Sequence, residues 1–121
     1  MGMGSLSSLN WKNRFINETP GDDQVNGLPR QVPGVCWSKV SPTPTPNPLI
    51  RLWSFEMAES LGLKEKESDI LGGKKIVTGM NPYAQRYGGH QFGNWAGQLG
   101  DGRAITLGEV NTGQELSLIH I

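Results

Sequence analysis

Seven of the 22 residues from Tyr87 to Gly108 are glycine, and bulky Phe92, Trp95 and Leu99 stand among them. Glycine loses more backbone entropy on ordering than any other residue, so such a run suits a place where the chain turns or is approached closely. A flexible linker would lack the large apolar anchors. The stretch therefore predicts an ordered segment whose backbone meets something at close range. After Arg103, Ala104, Thr106 and Gly108 alternate with Ile105, Leu107 and Glu109, the two-residue period of a strand. Gln91 to Gln98 is its expected antiparallel partner. Asp101-Gly102 between them is a hairpin-turn signal, with Gly97 and Gly100 close by.

A glycine-rich hairpin without bulky side chains at its tip can lay backbone amides against phosphate oxygens, as protein-kinase loops do over ATP. Arg103, just past the turn, adds a planar fork of donors suited to phosphate. A plain tight hairpin with a surface arginine accounts for the same spacing, and the Gly-x-Gly-x-x-Gly order of kinase loops is not reproduced. Gly72-Gly73-Lys74 lacks the four spacer residues and the following Ser or Thr of a phosphate-binding loop.

Of the 121 residues, 36% are hydrophobic and 17 are glycine, a thin supply for an independent core, which fits an incomplete domain. Eleven Lys and Arg balance eleven Asp and Glu, so no net field draws the chain to nucleic acid or to an anionic membrane. No apolar run is long enough for a transmembrane helix. Cys36 is the sole cysteine, which excludes an internal disulfide; no activating pattern surrounds it, and it reads as a buried spectator thiol. The start, Met1-Gly2-Met3-Gly4-Ser5-Leu6, carries no myristoylation, secretory or transit signal. The expected placement is cytoplasmic, or mitochondrial or plastid if a presequence is missing.

Along the chain, residues 1–8 read as a flexible, frayed terminus. Trp11 and Phe15 are spaced as anchors of a short docking turn, broken by Pro20-Gly21-Asp22-Asp23. Val35 to Val40 reads as a strand, and the prolines at every second position from Pro42 to Pro48 as an extended connector rather than a partner's ligand. A helix is expected next, with Asn47 as cap, Pro48 in its first position, and Leu49, Trp53, Met57 and Leu61 forming a core stripe. Gly62 supplies a left-handed stop, with Leu63 packing back. Lys64 to Asp69, Gly72 to Lys75 and Asn81-Pro82 read as solvated connections.

Pro82-Tyr83-Ala84-Gln85-Arg86-Tyr87-Gly88-Gly89-His90-Gln91-Phe92-Gly93, followed by Trp95 through Ile105, resembles the signature of the selenoprotein O family of protein adenylyltransferases. The likeness is nearly continuous from Asn81 to Val110. Looser similarity upstream, at Leu9-Asn10-Trp11, Pro20-Gly21-Asp22 and Ser38-Lys39-Val40-Ser41-Pro42, extends it over most of the chain. The resemblance implies an α+β, protein-kinase-like fold, of which residues 9–115 hold the amino-terminal extension and the start of the N-lobe. It implies an enzyme that binds ATP in an inverted sense and transfers AMP to Ser, Thr or Tyr hydroxyls of partner proteins. Gly100, Gly102 and Arg103 match the family's nucleotide-binding positions. The phosphate-pairing lysine, the catalytic aspartate and the Asn and Asp ligands of Mg2+ or Mn2+ belong downstream of this chain in the family. No catalytic or metal-binding residue is therefore expected here.

The last six residues, Leu116-Ser117-Leu118-Ile119-His120-Ile121, depart from the family and resemble translated sequencing-adapter sequence, so His120 is discounted as a ligand. His90 reads as structural, since no second His, Cys or carboxylate lies at ligand spacing. Two other readings compete with the adenylyltransferase. One is a non-catalytic protein-binding module using the proline run with Trp37 and Trp53 at the surface; the other is a true protein-kinase N-lobe.

Overall fold

Residues 105–110 are buried without interruption, which a half-solvated alternating strand does not produce. The computed structural model describes residues 4–23, 31–99 and 104–113, together with the backbone of 116–120. In it β6 (Thr106–Asn111) lies inside a five-stranded sheet of order β1-β2-β3-β6-β7. The others are β1 (Gly21–Asp22), β2 (Trp37–Lys39), β3 (Tyr83–Gln85) and β7 (Leu116–His120). β1 and β2 run parallel; the remaining neighbours are antiparallel. A register shift between Thr106 and Gly108 lets Ile105, Leu107 and Val110 gather in one cluster, where strict alternation would have grouped Glu109 with Ile105 and Leu107.

Short helices supply the second layer. Leu6, Ala58, Leu63 and Ile70 form one apolar cluster, and half-buried Leu9, Trp11, Leu61, Leu71 and Met80 touch both this cluster and the one on β6. The chain is thus mixed α and β, with a small sheet and few helices, consistent with an incomplete kinase-like N-lobe. Residues 116–120, expected as a foreign tail, pair with β6 through their backbone.

The amino-terminal segment departs from the expected frayed end. Leu6, only 1% exposed, opens a 3-10 turn at Leu6–Ser8 and fills the core between α2 (Phe55–Leu61) and α3 (Ser68–Leu71). Its N–H donates to Glu67 Oε1 at 2.6 Å, and its carbonyl accepts the Trp11 indole N–H at 3.0 Å. With so few large apolar residues available, one leucine here displaces more water than a loose terminus would. Trp11 precedes rather than joins the helix α1 (Arg14–Glu18); it bridges to Val110, and Phe15 alone of the two anchors lies in α1, stacked on Tyr83 at 5.4 Å.

The central helix starts later than the Asn47-Pro48 signal predicts. Ser54 is its cap, accepting the Met57 N–H at 3.2 Å, while Asn47 adopts φ 47. Pro48 instead lies against Gly72, and the Thr45 hydroxyl donates to the Gly72 carbonyl at 3.2 Å, so the proline run is tied down before α2 begins. The expected core stripe dissolves accordingly: Leu49 and Met57 are exposed, whereas Trp53 and Leu61 are half-buried and Ala58 takes the core position. The stop is as expected. Gly62 sits at φ 77, its N–H reaches the Glu59 carbonyl at 3.0 Å, and the Leu63 N–H reaches the Ala58 carbonyl at 2.7 Å, with Leu63 buried behind it.

Trp37 and Cys36 also sit differently from a surface tryptophan and a fully buried thiol. Both are half-buried: the Trp37 ring covers Gly21, and its indole N–H donates to the Thr19 carbonyl at 3.2 Å. Core and rim differ sharply in what a deletion should cost. Leu107→Ala is expected to lower unfolding free energy by about 2–5 kcal/mol. Leu52→Ala, at a side chain 92% exposed, should change it by less than about 0.5 kcal/mol. Urea unfolding of the two variants reads this directly.

Candidate functional site

The glycine-rich stretch forms a hairpin, but with a different partner from the expected one. β4 (Tyr87–Gln91) pairs with β5 (Asn94–Leu99) in a sheet of its own, so β5 does not pair with β6. The connecting pair is Phe92-Gly93, both at positive φ (51 and 80), as a two-residue hairpin turn requires. A phenylalanine is an uncommon occupant of that conformation, which is why the sequence pattern pointed to Asp101-Gly102 instead. A register shift between Gly89 and His90 is accommodated by Gly97 at φ 79.

The close approach that the glycines permit is largely by the hairpin's own side chains. A Cβ on Gly88 would land on the Trp95 ring, and one on Gly89 on the Leu99 side chain. The sequence-level question of what meets this backbone thus has an internal answer over Gly88–Gly89. His90 is exposed, and its ring meets Trp95 edge-on with centroids 5.1 Å apart. This packing is the structural role the hairpin gives it.

At the junction of β3 and β4 stands Arg86, whose side chain is 7% exposed. Its backbone N–H donates to the Cys36 carbonyl at 2.8 Å. Its guanidinium donates through Nη1 to Gln98 Oε1 at 2.9 Å, through Nε to the Ser38 hydroxyl, and through Nη2 to Asp22 Oδ2 at 3.4 Å. Asp22 is on β1, Ser38 on β2 and Gln98 on β5, so one side chain ties three strands. Gln98 extends the tie. Its Oε1 also accepts the Val32 N–H at 2.6 Å, its Nε2 donates to the Val32 carbonyl at 2.9 Å, and its backbone exchanges bonds with the Gln31 carboxamide at 2.8 and 3.0 Å.

Sequence reading passed over Arg86 and Gln98 as letters within a signature. The available signal was a charged and an amide residue beside a strand, with an aspartate in the upstream Pro20-Gly21-Asp22 motif. Glu109 was missed for a similar reason. It is buried on β6, its Oε2 accepts the Phe15 N–H at 2.7 Å near the start of α1, and its own N–H donates to Asn13 Oδ1 at 3.0 Å.

Gly100, Gly102 and Arg103, the candidate nucleotide-binding residues, lie outside the described residues, as does the Asp101-Gly102 turn. What the structure places is both approaches to them: Leu99 at the end of β5, directly after the clamped Gln98, and Ile105 in the core before β6. Among the described residues no three His, Cys, Asp or Glu side chains group to hold a metal ion.

The family model for protein adenylyltransferase SelO matches residues 30–119, from the segment that pairs with Gln98 through β7. The chain belongs to this family. Its relatives include proteins named protein nucleotidyltransferase YdiU. That of Methylobacillus flagellatus is 53% identical over 108 residues, covering 84% of this chain and 21% of the relative. Those of Nitrosospira multiformis and Azoarcus sp. are 48% and 50% identical over 111 and 115 residues, covering 87% and 90% of this chain and 20% and 22% of the relatives. The chain thus spans about a fifth of the length of these curated relatives.

Tyr83 gives this SelO-family sheet a testable weak point. It is fully buried against Phe15 and Trp37, and its hydroxyl makes no hydrogen bond of good geometry among the described residues, Thr106 and Gln85 being near enough only to offset part of the effect of burial. Burial, and secondarily the charge of Glu109, raise its pKa above the ordinary 10.0. Above about pH 10 the unfolded chain releases this proton while the folded one retains it, so stability falls as pH rises. Tyr83→Phe should leave stability at neutral pH unchanged or raise it by up to about 1 kcal/mol. It should also lessen the decline above about pH 10. Urea unfolding of both proteins across that range measures the difference.

Proposed function

We propose that this chain is the amino-terminal, nucleotide-facing part of a kinase-like protein adenylyltransferase, which transfers AMP from ATP to Ser, Thr or Tyr hydroxyls of partner proteins. The observation that carries this reading is the family match over residues 30–119. The anchored strand β5 supports it, since it leads directly into the family's nucleotide-binding positions.

In this reading the amides of Gly100 and Gly102 face phosphate oxygens, a use for which the absence of a Cβ permits close approach. The Arg103 guanidinium adds forked, charge-assisted hydrogen bonds. A protein hydroxyl attacks the α-phosphorus, the bond to the bridging oxygen breaks, and pyrophosphate leaves. This chain's residues bind and orient the phosphates so that charge developing on them is already met by donors. Bound Mg2+ or Mn2+ supplies further neutralisation of that charge. The base, the phosphate-pairing lysine and the metal ligands come from downstream parts of the family's proteins, so the 121 residues alone are expected to be inactive.

ATP labelled at the α-phosphate and, in parallel, ATP labelled at the γ-phosphate, each offered with acceptor proteins to the full-length protein and to this chain, test the proposal. The α-label is expected on protein with the full-length form and none with the 121 residues. Arg103→Ala in the full-length form should reduce incorporation by about 10²-fold. Transfer of γ-label in place of α-label would make the protein a kinase and overturn the reading.

A further inference from the structure

We infer that Arg86 is a positioning residue for nucleotide binding, acting through Gln98. The inference rests on the proposed function, because it concerns how the strand leading to the nucleotide turn is held.

The β4–β5 hairpin forms a sheet separate from the five-stranded one, and an isolated two-stranded hairpin is marginally stable in water. Its large apolar side chains do little to seat it, since Tyr87, Phe92 and Trp95 are all exposed. Polar ties carry that task. Arg86 closes the hairpin's base from the β4 side, and Gln98 closes it from the β5 side. The Nη1 to Oε1 bond at 2.9 Å joins them, while Nη2 and Nε hold the same guanidinium on Asp22 and Ser38. The direction of β5 as it leaves the hairpin is therefore referenced to β1 and β2.

Gln98 stands two residues before Gly100, a chain length of about 7 Å in extended backbone. A shift at Gln98 is passed to that glycine with little chain to absorb it, so backbone donors that would meet the phosphates move with it and their hydrogen bonds weaken. Only a planar fork spans Gln98, Ser38 and Asp22 at once. Lysine would keep the charge opposite Asp22 and lose the fixed directions to the other two. Gln98 is similarly specific, because its carboxamide accepts from Arg86 and Val32 and donates to the Val32 carbonyl. An apolar side chain of like size offers none of these bonds.

The test uses the full-length protein and its Arg86→Lys, Gln98→Met and doubly substituted forms. Nucleotide affinity is read by titration with ATP and Mg2+, α-label transfer gives KM for ATP, KM for the acceptor protein and kcat, and thermal unfolding reports the folded fraction. Each single variant is expected to weaken ATP binding and raise its KM about tenfold or more, with the acceptor KM unchanged. The double variant should be no worse than the weaker single one, because both residues act along one path. If Arg86→Lys does not fold, Gln98→Met alone carries the test. A merely structural role predicts a smaller active fraction, hence lower kcat, with ATP affinity unchanged in the molecules that remain folded; that result, or additive losses, overturns the inference. Wild type that binds ATP but transfers no α-label defeats the proposed function separately.

Discussion

Burying the Arg86 guanidinium beside Asp22 takes two charges out of water, at a penalty of several kcal/mol per ion that only near-complete pairing offsets. A pair of this kind is weak evidence of added stability, since apolar replacements of like volume are often equally stable. Its consequence in this chain is geometric. The fork requires Asp22 on β1, Ser38 on β2 and Gln98 on β5 to stand at defined positions, and each requirement excludes a shifted strand. A slip of one residue in any of them would turn the partner side chain to the opposite face and leave a buried charge incompletely met.

The rest of the sheet can be understood around that constraint. The β1–β2 ladder is only two residue pairs long, too short to define its own register strongly, yet Asp22 and Ser38 are paired across it and both face Arg86. The Glu109 carboxylate does for α1 what Arg86 does for the hairpin: a buried polar group on or beside a strand reaches an element without sufficient apolar surface. A chain with 36% hydrophobic residues cannot seat every element by burial of apolar area, and charged and amide side chains take over the placement.

The glycines acquire two separate meanings in this setting. Gly88 and Gly89 make room for Trp95 and Leu99 within the hairpin, while Gly93 and Gly97 supply left-handed backbone at its turn and bulge. Gly100 and Gly102 lie outside the described residues, and their nucleotide-binding role belongs to the proposed function. Composition alone does not tell a glycine that admits a neighbouring ring from one that admits a ligand.

Much was legible from local pattern. Left-handed Gly62 with Leu63 behind it, the strand around Trp37 and the strand after Arg103 depend on residues close in sequence, so the sequence alone determined them, and the Pro82 to Ile105 signature pointed to the family. Tertiary structure decided what depends on distant partners. Ser54 rather than Asn47 caps α2 because the proline run is held against Gly72. Leu6 is core because α2 and α3 leave it a place. β5 pairs with β4 because a Phe92-Gly93 turn is tolerated. Arg86 and Gln98 matter through partners up to 67 residues away, and no local rule of spacing brings such groups together.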